Sequence, residues 1–115
     1  MLRGDIWLVD LEPARGTEAN KRRPAIVVSN DRANATAAAL GRGVVTVVPL
    51  TSKVDKVYPF QVLLPAATTG LPVDSKAQTE QVRSVAFERL SREIGRVTAA
   101  DLAQVDDALR LHLDL

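Results

Sequence analysis

The chain contains no cysteine, one histidine and only four aromatic residues. Without cysteine there is no disulfide frame, no thiolate nucleophile and no Cys-ligated zinc or iron–sulfur site. A single histidine excludes a His-rich metal cage and a paired-histidine acid–base mechanism within one chain. Four aromatics are too few for a broad base-stacking platform. No apolar run approaches the length of about 18 residues that marks a membrane span. The stretch MLRGDIWLVD carries Arg3, Asp5 and Asp10, which spoils it as a secretory signal, so a cytoplasmic protein is expected. Any chemistry must be done with Arg, Lys, Ser, Thr, Tyr and carboxylates.

What is present is ordinary in amount and uneven in placement. With 115 residues, 46% of them hydrophobic and 25% charged, the chain reads as one domain spanning residues 1–115. The net charge is only +1. Residues 1–60 nevertheless hold nine basic and six acidic side chains, against six and eight in residues 61–115. The positive charge concentrates in Lys21-Arg22-Arg23 with Arg15 upstream, and a focused patch can bind an anion without a high global charge.

Ile6-Trp7-Leu8-Val9 reads as a first strand, followed by a loop of about a dozen residues over 12–24, long enough to be functional. Residues 25–29 form a continuous β-branched run, a buried strand. Asn30 or Asp31 can cap a short helix over 33–40, ended by Gly41 and Gly43. Residues 44–48 read as the strongest strand, closed by Pro49, and 51–56 as a polar loop. A strand over 58–64, a turn over 66–72, a long half-exposed strand over 73–85, a helical turn at 87–90 and a short strand over 93–97 follow. Thr98 is an N-cap candidate for an amphipathic C-terminal helix carrying Leu102, Val105 and Leu109 on one stripe, with Asp106, Asp107 and Arg110 opposite. Short strands closed by one helix predict a mainly β fold, a small and strongly bent barrel with a C-terminal α-helix.

Three places carry candidate chemistry. Arg23 directly precedes Pro24, which pushes it toward extended geometry at the start of a buried strand. There its planar fork can hold two phosphate oxygens. The alternative for Arg23 is a structural salt bridge. Thr51 and Ser52 follow the second buried strand, where hydroxyls either cap a turn or donate to a phosphate oxygen; Lys53 and Lys56 can extend an anionic track. Glu80-Gln81 and Arg83-Ser84 lie on the polar strand. His112 is not expected to be catalytic, and Trp7 is expected in the core.

Four blocks together carry a family resemblance: RGDIWLVDLEPARGTEANKRRPAIVVSN, VVTVVPLTSK, YPFQVLL and AQTEQVRSV. In this order and spacing, over roughly residues 3–97, the chain resembles the MazF/PemK (Kid) toxins of type II toxin–antitoxin modules. The resemblance implies an SH3-like β-barrel that works as a homodimer, cuts single-stranded RNA without a metal or other cofactor, and is restrained by a cognate MazE-like antitoxin. By position it implies catalytic roles for Arg23 and Thr51. It implies RNA contacts from Lys21, Arg22, Ser52, Lys53, Glu80, Gln81, Arg83 and Ser84. Some PemK-type members have an arginine and an aspartate where Gln78 and Glu80 stand here, and a loop histidine that this chain lacks, so the Arg23/Thr51 scheme transfers more safely than theirs.

That chemistry suits the composition. In a metal-free ribonuclease the ribose 2′-OH attacks its own 3′ phosphorus and expels the 5′ oxygen, so the nucleophile comes with the substrate. The protein must orient the sugar–phosphate and stabilise developing charge. Arg23 is the expected stabiliser, Thr51 the donor to a non-bridging oxygen, and Glu80 the candidate base. Two other readings remain open here. A gyrase poison like CcdB has the same fold but relies on a C-terminal Trp-Gly-Ile, whereas this chain ends Leu-His-Leu-Asp-Leu. A non-catalytic RNA-binding barrel would not need both Arg23 and Thr51.

Overall fold

The computed structural model describes residues 1–115. Strand β1 (Asp5–Asp10) pairs antiparallel with β2 (Arg22–Val27), and β2 pairs with β3 (Val44–Thr51). Between β2 and β3 runs α1 (Asp31–Leu40). Asn30 caps α1 by accepting the Ala33 N–H at 2.8 Å, and Gly41 ends it at φ 65°, a left-handed turn that suits a residue without a Cβ. After β3 come β4 (Gln61–Leu64), the one-turn α2 (Ala66–Thr69), β5 (Ser75–Gln78), β6 (Arg83–Ala86), β7 (Leu90–Arg96) and α3 (Ala99–Leu113). Thr98 caps α3 by accepting the Asp101 N–H at 3.0 Å, as its position in the sequence predicts.

The strands form one mixed-length antiparallel sheet in the order β4-β5-β3-β2-β1-β7, with β6 also on β3. No ladder joins β4 to β7, so the sheet is strongly bent but open, and the expected barrel describes it only loosely. Helix α3 packs beside β4, so that Val105 and Ala108 join Ile6, Ile26, Leu50, Val62 and Leu64 in one core. The other face of the same strands buries Val9, Leu11, Ala25, Val45, Val47 and Val85 with Ala37 of α1. Both faces of β2 and β3 are therefore covered, which is why these strands read as unbroken apolar runs rather than as alternation.

Further expectations change, and the strand expected over 25–29 is β2 at Arg22–Val27, so the loop before it ends earlier than 24. The long strand over 73–85 is broken: β5 ends at Gln78, a 3-10 turn covers Thr79–Gln81, and β6 begins at Arg83. The strand expected over 58–64 starts only at Gln61, because Pro59 sits in a turn closed by the Gln61 N–H to the Tyr58 carbonyl, 2.8 Å. Strand β3, by contrast, continues through Pro49 to Thr51. Its outer edge changes partner there, from β6 at Val47↔Arg83 to β5 at Leu50↔Ala77, and Pro49 has no partner on that edge. A missing N–H costs nothing where no ladder bond is due.

Candidate functional site

A groove lies where the β2–β3 pairing ends. The Val28 N–H bonds the Thr46 carbonyl, so alternate residues of β2, Ile26 and Pro24 among them, turn their backbone toward β3. Pro24 has no N–H to offer, and the β2–β3 ladder stops one residue earlier, at Ala25↔Pro49. Beyond that point the two strands part. Extended by two residues, the same register sets Arg23 opposite Thr51 on one face of the sheet.

An open groove of about 430 Å³ lies at this parting. Its lining includes Lys21, Arg22 and Arg23 on one side and Thr51, Ser52 and Lys53 on the other, with Leu71, Pro72 and Val73 forming an apolar wall. No acidic residue lines it. The ion pairs of the protein are elsewhere: Arg3 with Asp106, Arg96 with Asp5, and Arg110 with Asp107. None of the four groove cations has a carboxylate within 4.0 Å. The salt-bridge alternative for Arg23 therefore does not hold.

Arg23 is half-buried and aimed by neutral acceptors. Its Nε donates to the Asn20 carbonyl at 2.8 Å and one terminal nitrogen donates to Asn20 Oδ1 at 3.1 Å. This fixes the plane of the guanidinium without cancelling its charge. Thr51 is only 8% exposed, and its Oγ1 accepts the Lys53 N–H at 3.3 Å, leaving the hydroxyl proton to donate elsewhere. Lys21 enters the groove from a backbone at φ 63°, held by its N–H to Glu12 Oε1 at 2.7 Å and by its carbonyl, which accepts the Leu11 N–H at 2.9 Å.

Of the expected RNA-contacting residues, the structure brings Lys21, Arg22, Ser52 and Lys53 together with Arg23 and Thr51. It does not bring Glu80, Gln81, Arg83 or Ser84 into the groove lining. Gln81 instead bonds the loop before β2, donating to the Thr17 carbonyl at 3.0 Å and accepting the Ala19 N–H at 2.8 Å. Glu80 accepts the Gln61 amide at 2.8 Å, and its other carboxylate oxygen is buried without a partner. Arg83 reaches the Leu11 carbonyl at 3.3 Å, and Ser84 shares a hydrogen bond with Thr46 across β3. Asn20 went unnoticed in the sequence, although a short amide three residues before a candidate arginine is a readable signal. The wall at 71–73 gave none, since it is assembled by the turn after α2.

Residues 2–113 match the family model for PemK-like, MazF-like toxins of type II toxin–antitoxin systems, and the chain belongs to that family. Over 115 residues it is 74% identical to the protein named endoribonuclease MazF9 of Mycobacterium tuberculosis (strain ATCC 25618 / H37Rv), covering 100% of this chain and 98% of that one. The fold is similar to that of MazF from Deinococcus radiodurans, with a TM-score of 0.81 and 29% identity over 100% of this chain and 97% of that one. A MazE-MazF structure from the same organism aligns with a TM-score of 0.73 at 26% identity, over 100% and 97% of the two chains.

Proposed function

We propose that this chain is the toxin endoribonuclease of a type II toxin–antitoxin module, cutting single-stranded RNA at the groove between β2 and β3. The observation that carries this reading is a groove with four cations, a buried threonine hydroxyl and no acidic residue. Such a site suits a phosphodiester, whose charge rises as a pentacoordinate phosphorane forms.

In the proposed reaction the ribose 2′-oxygen attacks the adjacent phosphorus as its proton passes to solvent water, and the bond from phosphorus to the 5′ oxygen breaks as solvent returns one proton to that oxygen. The products carry a 2′,3′-cyclic phosphate and a 5′-OH. Arg23 holds two phosphate oxygens through the guanidinium edge left free by Asn20, and Thr51 donates to a non-bridging oxygen. Lys21, Arg22 and Lys53 attract and track the flanking phosphates. DNA resists because it lacks the nucleophile. Glu80 lies outside the groove lining and is tied to Gln61, so it serves the mechanism by holding structure rather than as the base.

The toxin acts in the cytoplasm as a homodimer, and a MazE-like antitoxin restrains it. An acidic, extended antitoxin segment laid over the unpaired groove cations would compete directly with RNA. No helix of the protein is long and apolar enough to cross a membrane. Purified protein should cleave a long single-stranded RNA in EDTA and leave cyclic-phosphate ends. Arg23→Ala should lower kcat at least about 100-fold while the unfolding midpoint stays put. Cleavage that stops in EDTA, or an Arg23→Ala protein that cuts normally, would overturn this scheme.

A further inference from the structure

The groove's second wall leads into a segment, residues 52–60, with no regular secondary structure and few ties to the rest of the protein. Its start is fixed by the Lys53 N–H to Thr51 Oγ1. Its end is fixed by the turn at Tyr58–Gln61, where Gln61 Oε1 accepts the Tyr58 N–H at 3.1 Å, and by Thr79 Oγ1 on the Phe60 carbonyl. Between Val54 and Val57 the one protein hydrogen bond is Lys76 Nζ to the Lys56 carbonyl, 2.5 Å.

Lys76 is an unusual residue to find there. It sits on β5 directly opposite Thr51, so the two side chains share one face of the sheet beside the groove. It is 8% exposed and has no carboxylate within 4.0 Å. Lysine is among the residues least often buried unpaired, because its ammonium loses hydration that only good acceptors replace. Here the replacement is one backbone carbonyl and the face of Tyr58, whose ring centroid lies 5.7 Å from Nζ. Lys56 places its own ammonium 4.7 Å from the same ring, and Phe60 stacks on it with centroids 5.5 Å apart and planes 2° from parallel. Tyr58 is nonetheless 42% exposed.

We infer that Lys76 is a positioning residue that latches the 52–60 segment beside Thr51, and that the latched segment, with Lys53 and Tyr58 on it, is the wall that reads the bases flanking the cut phosphate. The first half stands on geometry alone; the second rests on the endoribonuclease reading. A lysine latch suits this task. Its single bond to a carbonyl is specific enough to set the loop's height over the groove, and weak enough to let it adjust to a bound base.

Lys76→Met keeps the stem and removes the donor; Lys76→Arg restores a cation and donors. Limited trypsin digestion tests the latch without RNA. Cutting after Lys53 and Lys56 should quicken about tenfold in Lys76→Met, as the loss of one hydrogen bond implies, and return toward the native rate in Lys76→Arg. Cutting after Arg15, in the other wall, should stay unchanged. Equal loop cutting in native and Lys76→Met proteins of matched unfolding midpoint overturns the latch. With a long single-stranded RNA, Lys76→Met should raise KM about three- to tenfold with kcat within about twofold, and spread cutting over more sites. An unaltered cut-site map and KM, in a protein whose loop has loosened, overturns the base-reading role. If the native protein cuts no RNA, that role and the endoribonuclease reading fall together, while the digestion still decides the latch.

Discussion

Residues 11–21 and residues 52–60 both lack strand or helix, and both reach the same groove, the first with Lys21 and the second with Ser52 and Lys53, yet their backbones are satisfied in different ways. The first segment is held along its length. Gln81 bonds it at Thr17 and Ala19, Glu12 bonds its own Ala14 and Lys21 amides, Arg83 takes the Leu11 carbonyl, and Arg89 takes the carbonyls of Asp10 and Glu12. Ala19 is buried in the core beneath it. The second segment is tied at its two ends and by Lys76 in the middle. The wall that holds Arg23 is thus tied at many points, and the wall beyond Thr51 at few. In the proposed cleavage, phosphate chemistry needs the first, because a charge-stabilising group must be in place before the charge develops. Choosing among bases tolerates the second.

Three substitutions probe that contrast, beginning with the boundary between the walls. Thr51→Val keeps shape and burial but removes the hydroxyl. It should lower kcat about 100-fold with little change in KM, and cost about 1 kcal/mol of stability from the lost Lys53 contact; kinetics with a denaturation curve checks both. A normal kcat would move the oxyanion contact away from this side chain.

Gln81→Ala attacks the more closely tied wall from behind. It leaves a backbone N–H and a carbonyl of the first segment unpaired, which should destabilise the protein by about 1–3 kcal/mol. RNA cleavage should fall about tenfold, and trypsin should cut faster after Arg15 but not after Lys56. Equal loosening of both segments would show that they form one unit, and the contrast would fail. The smallest effect is expected from Lys21→Gly. Relief of the left-handed backbone at φ 63° offsets the entropy that glycine adds to the unfolded chain, so the melting temperature should move little. One groove cation is lost, and the slope of log affinity against log salt should fall by about 0.7.

Much of the fold was legible because local and tertiary demands agree. The Asn30 and Thr98 caps, the left-handed stop at Gly41 and the apolar runs of β2 and β3 each follow from a few neighbouring residues. Arg23 and Thr51 were legible as candidates from Pro24 and from the strand preceding Thr51, and the family resemblance pointed to both. The misreadings share one cause. Pro49 looked like a strand end because a proline is judged against a strand with partners on both edges, and no sequence rule says that the partner changes at that residue. Residues 73–85 looked like one strand because their polarity is compatible with an exposed face. In fact β5 and β6 occupy successive halves of the same edge of β3, and the chain must turn at Thr79–Gln81 to pass from one to the other.

Lys76 shows the same limit. In the sequence it is one lysine in a polar stretch, and only the register Thr51↔Lys76 reveals that it is buried beside the groove. By itself the sequence determined which chemistries were out of reach, which residues bear the charge, and where α1 and α3 are capped, since these depend on composition and short-range spacing. The tertiary structure decided that the sheet stays open, that Pro24 parts β2 from β3, that four cations meet with no carboxylate among them, and that Glu80 and Gln81 support the groove rather than line it. Those outcomes depend on pairing between residues far apart in the chain, and pairing is settled by which partners the whole fold leaves available.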